Sequence, residues 1–560
     1  MRRWHPALPA FLLLPLLALA GIERTVHNLG TTGPGEIRAV TEERICIFCH
    51  APHHGSGVAP LWNHQDSRAS YVLYDSSTLD ALPGQPTGAS KMCLGCHDGT
   101  VALGAVVSEP NEIEFPSGQR YLDPSTGSLE TDLADDHPVS FPYDAALAAA
   151  DPQLRHPDAI VPPVHLDATG QVQCTSCHDP HTDVHPKFLV GSPTGGALCT
   201  GCHDRTNWAT SSHATSRATW DGTPPDPWPG SGDRTVADNA CRNCHAPHHA
   251  AQPPRLVRRY PEEETCWACH DGHVASTDIR ADFQATSHHP VELTSGVHDP
   301  EEDILTAPRH VECVDCHEPH QVEGSAASPP ALSGKQRGID GIDSAGNPVD
   351  PASQAYEVCF KCHGDGTSAS QAIPRTAGEI NTRLEFGPDA ISYHPVVQAG
   401  RNSDVPSLLP PWTEGSLMYC TDCHASDRAD AGGPSGPHGS SWPFILRRRY
   451  ETEDYTRENP DVYALCYECH SRSTILSGRS GFRLHRKHVL RADTPCSVCH
   501  DPHGVSAQQG TPDGNAHLIS FDTRVVQPSR SGQLRYESTG PRRGRCWLTC
   551  HGKNHDPKRY

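Results

Sequence analysis

Every cysteine in this 560-residue chain lies in a two-cysteine motif that closes on a histidine. In order the motifs are CIFCH (Cys46, Cys49, His50), CLGCH (Cys93, Cys96, His97), CTSCH (Cys174, Cys177, His178) and CTGCH (Cys199, Cys202, His203). They continue as CRNCH (Cys241, Cys244, His245), CWACH (Cys266, Cys269, His270), CVDCH (Cys313, Cys316, His317) and CFKCH (Cys359, Cys362, His363). The series ends with CTDCH (Cys420, Cys423, His424), CYECH (Cys466, Cys469, His470), CSVCH (Cys496, Cys499, His500) and CWLTCH (Cys546, Cys550, His551), the last one residue longer than the others. Twelve motifs therefore use all 24 cysteines.

Two thiols that add to porphyrin vinyl groups, next to a histidine carried onto the iron, make Cys-x-x-Cys-His the attachment motif of c-type haem. Zinc ribbons need paired cysteine knuckles but have no reason to put histidine after every second cysteine. Disulfides in an exported protein need no fixed spacing. With 38 histidines in 560 residues, a histidine at all twelve closing positions is not chance. Twelve covalent haem c groups are the expectation.

Composition agrees. Apolar residues are 36% and aromatics 6% of the chain, little for a side-chain core of this length. Cysteine, at about 4%, is well under the roughly 8–10% of a disulfide scaffold. Porphyrin faces supply the missing apolar surface, so folding should depend on cofactor attachment. The expected fold class is a multihaem cytochrome c: mostly irregular coil, short α-helices around the attachment motifs, little β-structure, and stacked dihaem modules. Pro261-Glu262-Glu263-Glu264 should open a helix into Cys266, with Tyr356–Val358 and Tyr463–Leu465 doing the same for their motifs. The segments Ser108–Thr131 and Pro329–Ala352 read as loops.

Arg2 and Arg3 precede an apolar run from Ala10 to Ala20 that ends in small residues, which reads as a secretory signal peptide over 1–20. The run is too short for a transmembrane span, which takes about 20 residues. The mature chain is expected to be exported, with no transmembrane segment. Its formal charge moves from −22 to −24 once Arg2 and Arg3 are removed, which disfavours nucleic acid as a partner. Arg447-Arg448-Arg449 reads as a solvated turn face.

The sixth ligand of each iron decides between electron transfer and catalysis. Methionine is scarce: of three, Met1 lies in the signal segment, and Met92 and Met418 adjoin motifs. After twelve motif histidines, 26 remain, so bis-histidine ligation is expected. One recurring pattern puts a histidine shortly after the motif: His53 and His54, His181, His248 and His249, His320, and His503. The proline before each aims that imidazole away from its own haem and toward a neighbour. The CTDCH motif lacks this extension, and His438 stands in for it. A second pattern, His-Pro-Val upstream of a motif, supplies His137, His289 and His394, with His27, His213 and His488 as further upstream candidates. His485, His517 and His555 are rivals to His488 and His503. His64, His156, His165 and His185 read as surplus surface residues.

The motifs sort into six dihaem modules of the stacked-repeat kind: 21–110, 131–206, 207–280, 281–370, 385–474 and 475–560. With CIFCHAPHHG, SKMCLGCHDGTVALG, the HPV segments, GPHGSSWPFILRRRY, TPCSVCHDPHG and CWLTCHGKNH in place, the chain resembles the multihaem c-type cytochromes of the doubled CxxCH motif. These are periplasmic or cell-surface proteins of metal-respiring and related bacteria. The resemblance implies electron transfer along bis-histidine haems in anaerobic respiration, with His53 or His54, His181, His320 and His503 in distal roles. It also implies redox-protein partners, such as quinol-linked or outer-membrane cytochromes. Some relatives form extracellular filaments, so self-association is a further implied partner state. The alternative reading is an oxidoreductase with one open-site haem acting on a small nitrogen or sulfur oxyanion.

Overall fold

A computed structural model describes residues 21–55, 61–251, 254–292, 299, 302–307, 310–365 and 371–560. The signal segment lies outside the described residues. Two compact units divide the chain: Met1–Asp204 with His245–Leu256, and Arg205–Cys244 with Val257–Tyr560.

Helices are short and gather at the motifs. In the first unit, α1 (Gly88–His97) carries the CLGCH motif and starts after Thr87 in an extended conformation. In the second unit, α2 (Glu263–Trp267) opens with acids in its first turn, favourable at the positive end of the helix dipole. Next, α3 (Ala355–His363) begins at a capping box between Gln354 and Glu357, which satisfies amides that have no partner inside the helix. It stops at Gly364. The short helices α4 (Ala464–Tyr467) and α5 (His485–Val489) follow. The helices foreseen before Cys266, Cys359 and Cys466 all form.

Other motifs fold differently. Ile45–Phe48, Cys174–Ser176, Cys313–Asp315, Cys420–Asp422 and Cys496–Val498 are single 3-10 turns. In each, the closing histidine donates its amide to the carbonyl of the first cysteine, at 2.7 to 3.0 Å. That i to i−4 bond sets the imidazole beside both thiols.

Apolar side chains collect in small clusters. Ile47, Phe48, Val106 and Ile113 form one in the first unit; Tyr356, Phe360, Phe386 and Tyr393 form part of another in the second. Most strands are two-residue pairs, in line with the expected low β content. The departure is at the C terminus, where β1 (Arg535–Gly540), β2 (Arg543–Cys550) and β3 (Lys553–Arg559) make an antiparallel sheet in the order β3-β2-β1. His551 (φ 47°) and Gly552 (φ 70°) form the two-residue β2–β3 turn, the left-handed geometry that suits a hairpin. The inserted residue of CWLTCH thus belongs to a strand. Among the described residues no helix is long and apolar enough to cross a membrane.

Candidate functional site

The site repeats along the chain and has three parts: buried thiols, facing imidazoles, and the groups that orient those imidazoles. All 24 cysteines are free of disulfides. Burial pushes Cys49 up to about 11, and Cys244 and Cys423 up to about 12. Within a module the second thiols are neighbours: Cys49 with Cys96, Cys177 with Cys202, Cys244 with Cys269, Cys316 with Cys362, Cys423 with Cys469, and Cys499 with Cys546 and Cys550. Between successive motif pairs the first thiols are neighbours: Cys93 with Cys174, Cys266 with Cys313, Cys359 with Cys420 and Cys466 with Cys496.

Beside these thiols, imidazoles face each other in pairs. In the first unit the pairs are His27 with His97 (ring centres 6.1 Å apart) and His50 with His181, His137 with His203 and His178 with His248 (each 6.2 Å). In the second unit they are His213 with His270 and His317 with His438 (6.2 Å), His289 with His363 and His485 with His500 (6.3 Å), His394 with His470 (6.4 Å) and His424 with His503 (6.0 Å). A further pair, His488 and His555, stands at 6.4 Å. Metal–imidazole bonds of about 2.0–2.1 Å, with about 1.1 Å more from nitrogen to ring centre on each side, put two axial imidazoles about 6.3 Å apart. The pairs match the span of an iron between two histidines. They are too far apart for direct ring stacking.

The pairs follow a rule. An upstream histidine of the same module faces the second motif, as His27, His137, His213, His289 and His394 do. A histidine of the next module faces the first motif, as His181, His248, His438 and His503 do. At the last motif pair, His485 faces His500. Burial pushes His270, His424, His470 and His500 down to about 4, and His438 and His485 to about 3. A neutral imidazole offers the lone pair that a metal takes.

The other ring nitrogen fixes each orientation. Backbone carbonyls accept from Nδ1 of His178 (Lys187 O, 2.9 Å), His245 (Arg255 O, 2.9 Å), His317 (Lys335 O, 2.7 Å), His424 (Phe444 O, 2.8 Å) and His500 (His517 O, 2.9 Å). Four of these carbonyls, all except that of Lys335, belong to non-glycine residues with positive φ: Lys187, Arg255, Phe444 and His517. Such backbone strain is held where the surrounding structure requires it. Carboxylates take the role at His181 (Asp179, 3.1 Å), His248 (buried Asp136, 2.9 Å), His320 (Glu318, 2.7 Å) and His503 (buried Glu385, 3.2 Å). Partners of this kind orient a ligand and raise its basicity. The acid two residues before histidine in CHDPH and CHEPH is a sequence signal for two of them; Asp136 and Glu385 have none.

A cavity of about 2880 Å³ runs through the second unit, lined by motif thiols and by the facing histidines. Buried thiol pairs, imidazoles at axial spacing and a long apolar space fit covalent haem. That arrangement is consistent with the multihaem c-type cytochromes. The family model for the doubled CXXCH motif matches residues 165–207, 234–275 and 410–474, three segments that carry the paired attachment motifs. No curated protein matches it.

Several expected residues sit elsewhere. His53 and His54 bond each other through Nδ1 at 2.8 Å on the surface. His249 lies 3.9 Å from Asp135, while its neighbour His248 faces His178. His551, expected to face an iron, instead puts Nε2 2.9 Å from both oxygens of Asp454. The reason is its place in the hairpin turn, where no cysteine carbonyl can hold it beside the thiols. His485 and His555, read as rivals, stand in facing pairs. His64 is fully buried rather than on the surface, with Nδ1 near Gln65 O and Nε2 near Ala102 O. Arg447 and Arg448 pair with Asp430 and Glu468, and Arg449 with Glu451, so the basic run is neutralised locally.

Proposed function

We propose that the protein is a dodecahaem cytochrome that passes single electrons along a row of bis-histidine haems, as an exported carrier in periplasmic or extracellular respiratory transport. The observation that carries this reading is the repeated facing of imidazoles at axial spacing. An iron with a histidine on each face has no position for substrate, which leaves outer-sphere electron transfer. The contacts between thiols of successive motifs support short steps from one haem to the next. Without methionine ligands to raise them, the potentials are expected to be low. The negative charge, increased by haem propionates, suits a donor or acceptor with a basic docking face.

Intact-mass measurement of the purified holoprotein, followed by a spectroelectrochemical titration, tests the reading. Twelve covalent haems that reduce reversibly over a broad low-potential range are expected. Fewer haems would reduce the count, and turnover of nitrite, hydroxylamine or sulfite would replace the carrier with an enzyme.

A further inference from the structure

Resting on the multihaem reading, the geometry points to His555, paired with His488, as the protein ligand of the last iron, with His551 released from that role. We infer this from the hairpin. In β2 the residues Cys546, Leu548 and Cys550 alternate onto one face, and both thiols and Leu548 belong to the cluster around Val498, Phe521, Val526 and Tyr536. Leu548 is directly opposite His555 in the β2–β3 register. Opposed residues of an antiparallel pair share a face, so His555 stands on the side of the two thiols. The irregularity in the pairing between Cys546 and Leu548 falls on the partner strand, where Lys558 and His555 are the registered residues, and β2 keeps its alternation.

From the other side, α5 presents two histidines one turn apart. His485 faces His500 and His488 faces His555, so three residues of spacing serve two irons. Nδ1 of His488 lies 3.0 Å from Leu484 O, which leaves Nε2 for the metal. Cys546, Cys550, His488 and His555 all line the cavity of this unit.

His551 has a different set of neighbours. Its backbone occupies the left-handed position of the turn, Nε2 is taken by Asp454, and its ring stacks on Tyr455 at 4.4 Å and 17°. In the 3-10 motifs the closing histidine is fixed by its amide bond to the first cysteine. Six residues of strand and turn, Cys546 to His551, have no such bond to offer, and the next histidine on the correct face is His555.

The test compares His555→Ala and His551→Ala in the full holoprotein, reading haem number by intact mass and spin state by electron paramagnetic resonance. The assignment predicts that His555→Ala converts one iron in twelve to a high-spin, carbon monoxide-binding form, while His551→Ala leaves every iron low-spin. The reverse pattern overturns it. Wild-type protein with eleven haems would instead refute the twelve-haem reading, a separate result. Should either variant fail to mature, a density map of the wild-type holoprotein around Cys546 and Cys550 decides between Nε2 of His555 and Nε2 of His551 on the iron.

Discussion

The last two attachment motifs are neighbours with the same chemistry and different backbones. In CSVCH the chain turns tightly over Cys496–Val498, His500 bonds back to Cys496, and Nδ1 is held by His517 O. In CWLTCH the thiols project from one face of a strand, and the residue after the second cysteine is carried into a hairpin turn. Yet Cys499 lies beside both Cys546 and Cys550, and one helix turn supplies the histidines that face His500 and His555. One added residue changes a turn into a strand and moves the facing histidine four positions along the chain. The arrangement around the thiols is kept, and the local backbone that delivers it is not.

The largest expected effect that separates the two motifs comes from the hairpin core. Leu548 is 6% exposed, and Leu548→Ala should cost about 2–5 kcal/mol in denaturant unfolding. It should also disturb the haem at Cys546 and Cys550 before the one at Cys496 and Cys499. An unchanged midpoint would mean that the sheet is not packed on the thiols.

A second variant addresses the turn beside CSVCH. His517 and Leu518 both have φ near 62°, so His517→Val should lose about 1–2 kcal/mol and loosen Nδ1 of His500. Equal stability in a thermal melt would show that this left-handed turn is not needed to hold His500.

Third, Glu385→Gln removes the carboxylate from Nδ1 of His503, which faces His424. A less basic ligand raises the potential of that iron, so one component of the redox titration should move upward. His488, held by a carbonyl, has no such carboxylate, and Leu484→Ala should leave the titration unchanged.

The smallest effect is at the β1–β2 turn, where Arg542 bonds both oxygens of Asp404. Arg542 holds the Asp404 carboxyl below its ordinary range. A depressed folded pKa gives stability that is present above the unfolded carboxylate value and lost as the pH falls through the folded one. Both groups are solvent-exposed, so Arg542→Ala should produce at most a slight change in melting at pH 7, and a smaller one at pH 3.

Much of this organisation was legible because covalent attachment fixes local sequence. Histidines upstream of a motif pair, such as His27 and His394, carry a sequence signal and stand opposite the histidine of the second motif, His97 and His470. The proline of CHDPH implied that His181 turns away from its own motif, and His181 stands opposite His50. What the motifs could not convey lies in the tertiary structure. His53 and His54 carry the same pattern as His248, yet they bond each other at the surface. Asp136 and Glu385 reach their histidines from more than 100 positions away. The hairpin has only a weak local signal, the β-forming side chains of Trp547 and Thr549. His64 gave no signal, since a buried histidine beside two backbone carbonyls has no sequence pattern.

The most direct test of the account is the electron paramagnetic resonance spectrum of the fully oxidised holoprotein, integrated against its iron content. An axial histidine on each face of every iron predicts low-spin ferric signals that account for all the iron and do not change on adding cyanide or nitrite. A stoichiometric high-spin signal that shifts with either ligand would contradict it.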